Sequence, residues 1–132
     1  MLHFNFKSGA YLSIIKKHDH LHFLIGSDSK ISYAYQHGAS GAIAGTSNLL
    51  AKQVVALNSS LRANDLEMAQ KLQDDLNPLR KVMHQAPVPS VLKSAVTMAH
   101  IADVGNARRP ICPVTQELSI KIKKMLTHYN LI

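Results

Sequence analysis

The sequence predicts an α/β fold, mostly α-helical overall, in which two or three βα units of a small parallel sheet lead into a helical tail. Two observations predict it. Up to Gly45, short continuous apolar runs alternate with helical stretches, the pattern of strands covered on both faces by helices. Beyond Gly45, apolar residues recur only at helical spacing. No repeat, low-complexity linker or Pro/Gly/Ser run interrupts the chain, so one compact domain is expected, with the βα units in 1–47 and helices in 48–132.

The elements follow in order. Leu21 to Ile25 is the first strand candidate, Ser29 to about Gln36 a helix closed by Gly38, and Gly41 to Gly45 the next strand. A long helix is predicted from an Asn48 N-cap, with Leu50, Val54, Leu57 and Leu61 on one face. Asn64 and Asp65 form a turn and a cap. The next helix, from about Leu66 to His84, aligns Ala69, Leu72, Leu76, Leu79 and Met83, with a kink expected at Pro78. Pro89 or Ser90 opens a helix running through about Ala102 and ending before Gly105. A final helix starts at the Thr115 cap and keeps Leu118, Ile122 and Met125 in register while Lys121, Lys123 and Lys124 line other faces.

With 132 residues, 46% of them apolar and 17% charged, the chain is long enough to bury roughly two thirds of its unfolded surface. No stretch reaches the roughly 18 apolar residues of a membrane span, and the N-terminus lacks the basic region and long apolar core of a secretory leader. A lone Cys112, between Pro110 and Pro113, excludes an internal disulfide and has no base beside it. A cytoplasmic protein without membrane contact is expected. The formal charge of +7 could draw an acidic partner, but the basic residues come as scattered pairs without interleaved aromatics, so no nucleic-acid binding is expected.

His18, His20 and His22 alternate, and an extended strand would place three imidazoles on one face as metal ligands. A surface run is the plainer reading, and no metal or other cofactor is expected. His84, His100 and His128 fall near helix ends without a partner cluster.

Residues 24–48 (LIGSDSKISYAYQHGASGAIAGTSN) resemble the seventh and eighth βα units of the dihydrodipicolinate synthase and N-acetylneuraminate lyase family of (β/α)8 barrels. The likeness continues through the Asn77-Pro78-Leu79 helix core, the Pro87-Val88-Pro89 turn, the Arg108-Arg109-Pro110 loop and the Pro113-Val114-Thr115 cap, covering about residues 8 to 130. The resemblance implies the C-terminal part of a TIM barrel, with 1–47 as partial barrel units and 48–132 as the last barrel helix plus a helical region. It also implies a class I aldolase, which holds pyruvate or a related 2-keto acid as a Schiff base on a lysine. Such chemistry needs a neutral, desolvated amine, a proton-relaying tyrosine and hydroxyls for the carboxylate.

In the family, that lysine sits three residues ahead of a Ser-Gly pair; here the pair is Ser8-Gly9 and the position holds Asn5, which cannot form an imine. Lys7 is one residue from Ser8, on the opposite side of a strand in the same register, and is the substitute candidate against a plain solvated lysine. The family's Thr-Thr pair and relay tyrosine lie in strands ahead of anything in this sequence, so a truncated frame is expected. Ile43 matches the eighth-strand residue whose carbonyl faces the keto acid, and Gly26 and Asp28 match the Gly-x-Asp segment of the substrate pocket. Asp28 is equally suited to cap the helix that starts at Ser29. Ser29 and Gly45 stand where sialic-acid lyases carry other polar residues, which argues against sialic acid as substrate.

The expectation is therefore a lyase fragment, inactive alone, associated as a homo-oligomer or with a complementary N-terminal half, because open strand edges and uncovered apolar faces invite partners. An active lyase completed by a partner chain or swapped oligomer, and a basic module whose tail binds an acidic partner, stay open as alternatives.

Overall fold

In the computed structural model, residues 13–15, 17, 18 and 20–132 are described; Asn5, Lys7 and the Ser8-Gly9 pair lie outside them. The protein is mostly helical with a small parallel sheet. Strand β1 (Leu24–Ile25) pairs with β2 (Gly41–Ala42) in parallel, Leu24 opposite Gly41 and Ile25 opposite Ala42. Both strands are shorter than the apolar runs that contain them. Helix α1 (Ile31–Gln36), preceded by a 3-10 turn over Asp28–Lys30, makes the crossover and buries Ile31 and Ala34, one turn apart. Gly38, at a φ of 99°, supplies the left-handed residue that turns the chain back toward β2.

Helix α2 (Ala51–Arg62) buries Leu57 and Leu61 four residues apart. It does not start at Asn48. Residues Gly45–Asn48 form a 3-10 turn in which the Asn48 amide donates to the Gly45 carbonyl (2.9 Å), and the helix begins three residues later without a side-chain cap. Asp65 caps α3 (Leu66–Asp75), its carboxylate accepting the Met68 N–H at 3.0 Å. The segment expected as one kinked helix is two: Leu76 separates α3 from α4 (Asn77–Met83), and Pro78 falls in the first turn of α4, where its missing N–H has no intrahelical partner to lose.

Helix α5 (Val88–Met98) also carries its proline, Pro89, in the first turn. It stops before Ala102. His100 adopts a φ of 53° and the Ile101 N–H returns to the Val96 carbonyl, closing the helix where the following residues are exposed and no buried stripe sustains it. Helix α6 (Gln116–His128) is capped by Thr115, whose hydroxyl accepts the Leu118 N–H at 3.2 Å, and buries Leu118, Ile122, Met125 and Leu126.

Helix α2 packs on α3, α1 rests against both, and α6 lies across α4 and α5. One hydrophobic cluster links Ile25 of the sheet through Leu57, Leu76 and Val91 to Leu126. The tail also reaches the strand ends: a Cβ at Gly45 would come within 3.3 Å of Met83 Cε and 3.5 Å of Leu92 Cδ1, so α4 and α5 press directly on this turn. Among the described residues, no helix is long and apolar enough to cross a membrane.

Candidate functional site at the carboxyl ends of the strands

Gly26 and Asp28 follow β1, and Ile43 follows β2, so all three sit at the carboxyl ends of adjacent parallel strands. In α/β proteins that end of the sheet is where ligands are received. Gly26 is exposed and open: a Cβ added there would meet nothing within 4 Å. Ile43 donates its N–H to the Ile25 carbonyl (2.9 Å) while its side chain is 69% exposed.

Asp28 ties the two loops together. Its Oδ1 accepts the Gly45 N–H at 3.2 Å and its Oδ2 accepts the Thr46 N–H at 3.1 Å. The carboxylate therefore caps the first turn of the second loop, where N–H groups lack internal partners, and not the Asp28–Lys30 turn next to it, which has no side-chain cap. With both oxygens engaged, this carboxylate shapes the backbone beside Ile43 rather than standing ready as a base.

A second residue, missed in the sequence, holds Asp28 from behind. Gln73 of α3 is 7% exposed; its Oε1 accepts the Ser32 N–H at 3.1 Å, and its Nε2 donates to the Asp28 carbonyl at 2.7 Å. A buried amide must find partners for both ends, and here both lie on the first loop and its helix. The signal was present: Gln73 stands on the face of α3 defined by Ala69 and Leu76, where a polar residue demands a reason. The hydroxyls of Ser32 and Thr46 are buried without a hydrogen-bond partner among the described residues.

The histidine run is not a strand. His20 lies in a turn, the His18 and His20 rings meet edge-on at 5.9 Å, and His22 Nδ1 is 3.2 Å from Ser40 Oγ. The described residues contain no group of three His, Cys, Asp or Glu side chains placed to hold a metal ion. Cys112 is exposed on the loop before α6, where its carbonyl accepts from the Ser90 hydroxyl. Lys93 of α5 steadies the preceding part of that loop, donating to the carbonyls of Val104 (2.7 Å) and Asn106 (3.3 Å).

Parallel strands joined by a helix, with their carboxyl-end loops clamped to each other, define an α/β protein built to present one end of its sheet. The chain belongs to the dihydrodipicolinate synthetase family, whose model matches residues 7–129. It is 28% identical over 115 residues to the 4-hydroxy-tetrahydrodipicolinate synthase of Campylobacter jejuni serotype O:6, covering 86% of this chain and 39% of that one. Among solved structures, the dihydrodipicolinate synthase of Aquifex aeolicus matches with a TM-score of 0.84 at 26% identity, over 91% of this chain and 41% of that one. The N-acetylneuraminate lyase of Mycoplasma synoviae shares the fold, with a TM-score of 0.79 at 24% identity over 92% of this chain and 41% of its own. The chain thus spans about two fifths of the length of the relatives it matches.

Proposed function

We propose that this chain forms the closing βα units of a (β/α)8 barrel from a lyase acting on pyruvate or another 2-keto acid, and that by itself it makes no covalent intermediate. Gly26, Asp28 and Ile43 are walls of the keto-acid pocket in this reading. The observation that carries it is their position: residues matched to the family's pocket fall at the carboxyl ends of adjacent parallel strands, with Asp28 fixing the loop that follows Ile43.

Imine formation joins an amine nitrogen to the ketone carbon and expels water, so it requires a neutral amine. The Asn5 carboxamide is no such nucleophile, and Lys7, one residue from Ser8, would face the opposite side of a strand in the family's register. What the chain contributes is shape. The clamp from Asp28 to Gly45 and Thr46 sets where the Ile43 carbonyl points, and Gln73 keeps Asp28 in place. The exposed, unpaired Cys112 fits a reducing cytoplasm.

Borohydride reduction in the presence of pyruvate, followed by intact-mass measurement, tests this reading. The folded chain is expected to gain no adduct. A stable adduct mapped to Lys7 would show instead that a displaced lysine has taken over the imine role.

A further inference from the structure

His18 and His20 are joined by a turn. The His18 N–H donates to the carbonyls of Ile14 (3.1 Å) and Ile15 (3.2 Å), and the Leu21 N–H donates to the His18 carbonyl (3.0 Å), so the backbone carrying the two rings is held on both sides. Both side chains are exposed, and their rings meet edge-on with centroids 5.9 Å apart at an interplanar angle of 71°. His22 is directed elsewhere: its Nδ1 lies 3.2 Å from the Oγ of Ser40, the residue just ahead of β2. The turn therefore takes three imidazoles that alternate in sequence and pairs two of them.

Two imidazoles that share a tetrahedral zinc ion, each through a bond of about 2.0–2.1 Å, have ring centroids roughly 5 Å apart. The 5.9 Å seen here is close to that spacing, and rotation of two exposed side chains, a nanosecond motion, closes the difference. From this we infer that His18 and His20 form a binding site for a divalent transition-metal ion of the zinc class. Each gives one ring nitrogen, and water fills the remaining positions. Imidazole nitrogen suits zinc and its neighbours, whereas magnesium and calcium take oxygen donors. Two protein ligands are fewer than the three of a catalytic zinc centre or the four of a structural one, so this ion exchanges with solvent and is not a prop of the fold. The pair precedes β1, whereas Gly26 and Asp28 follow it, so the metal site is separate from the keto-acid pocket and does not depend on that reading.

Calorimetric titration of the 132-residue chain, free of any histidine tag, with zinc chloride in a non-coordinating buffer tests the inference, and the imidazole NMR resonances locate the ion. Zinc should move the resonances of His18 and His20 and leave those of His22 in place. His18→Ala and His20→Ala, both at exposed positions and each checked for helix content, should weaken binding roughly tenfold or more. The double variant should lose little beyond either single one, because two ligands of one ion act as a unit. His22→Ala should bind as the wild type does, which separates a paired site from a histidine run that wraps the ion as a flexible peptide. Three results would overturn the inference: no saturable uptake of zinc, single variants that bind as tightly as the wild type, or a loss in His22→Ala as large as that in His18→Ala.

Discussion

Gln73 connects three segments that are far apart in sequence: through its amide, α3 holds the Ser32 N–H and the Asp28 carbonyl, and through Asp28 it reaches Gly45 and Thr46. Replacing Gln73 with leucine fits the apolar face of α3 but leaves the Ser32 N–H buried and unpaired. The expected cost is about 1–3 kcal/mol, the usual penalty for an orphaned buried group. Urea denaturation of Gln73→Leu beside Gln70→Leu, a control at an exposed position on the same helix, measures it. A loss no larger than the control's would mean that the relay is ornamental. The relay could not be read in the sequence because its partners are 41 and 45 residues away and only the folded chain brings them together. Gly26, Asp28 and Ile43 were singled out by the family motif, not by any spacing of their own, and the fold brings them to the carboxyl ends of adjacent strands. The cap expected from Asp28 serves a different turn because a carboxylate accepts from any N–H group within reach, and the neighbouring loop came nearer.

At the scale of elements, the helices were legible where an apolar stripe and a capping side chain agree, as at Thr115 with Leu118, Ile122 and Met125, or at Asp65 with Ala69. The ends that went astray lacked that agreement. Asn48 is a good cap by type but is spent within a 3-10 turn, and Pro78 opens a helix where a kink was expected. Helix α6 owes its placement to a tyrosine just past its end. The Leu79 N–H donates to Tyr129 Oη at 3.4 Å, and the same hydroxyl donates to the Asp75 carbonyl, so α6 is pinned where α3 gives way to α4. Burial raises the Tyr129 pKa above its ordinary 10.0, the charge of Asp75 adds to this, and the Leu79 hydrogen bond opposes it. The folded state thus favours the neutral phenol. Its contribution to stability is complete below pH 10 and is lost as pH rises through the higher folded-state value. Thermal melts from pH 8 upward should show the wild type losing stability more steeply above about pH 10 than Tyr129→Phe, which has no proton to release there. Parallel slopes for the two proteins would place the alkaline transition elsewhere.

At the scale of the molecule, the change of pattern near Gly45 divides strands from helices without dividing the core. Leu50, Leu57, Leu76, Leu79, Val91, Ile122 and Leu126 are almost wholly buried in one cluster, which takes in Ile25 and Ile31 from the strand segment. The Gly45 turn touches Met83 and Leu92, so even the strand-end loops lean on the tail. A sheet this small has little burial of its own and must draw its stability from the helices behind it. The strand segment 24–48 and the helices beyond it should therefore unfold together. Ile122→Ala removes a wholly buried side chain from α6, far along the chain from the strands, at an expected cost of about 2–5 kcal/mol. Hydrogen exchange read by mass spectrometry tests the coupling under conditions where exchange follows the opening equilibrium. Peptides spanning 24–48 and 116–128 should lose the same free energy of opening in the variant, because a cooperative unit has one opening event. If protection falls only in 116–128, the helical tail is a separate unit, and the sheet must be held by something other than the shared core.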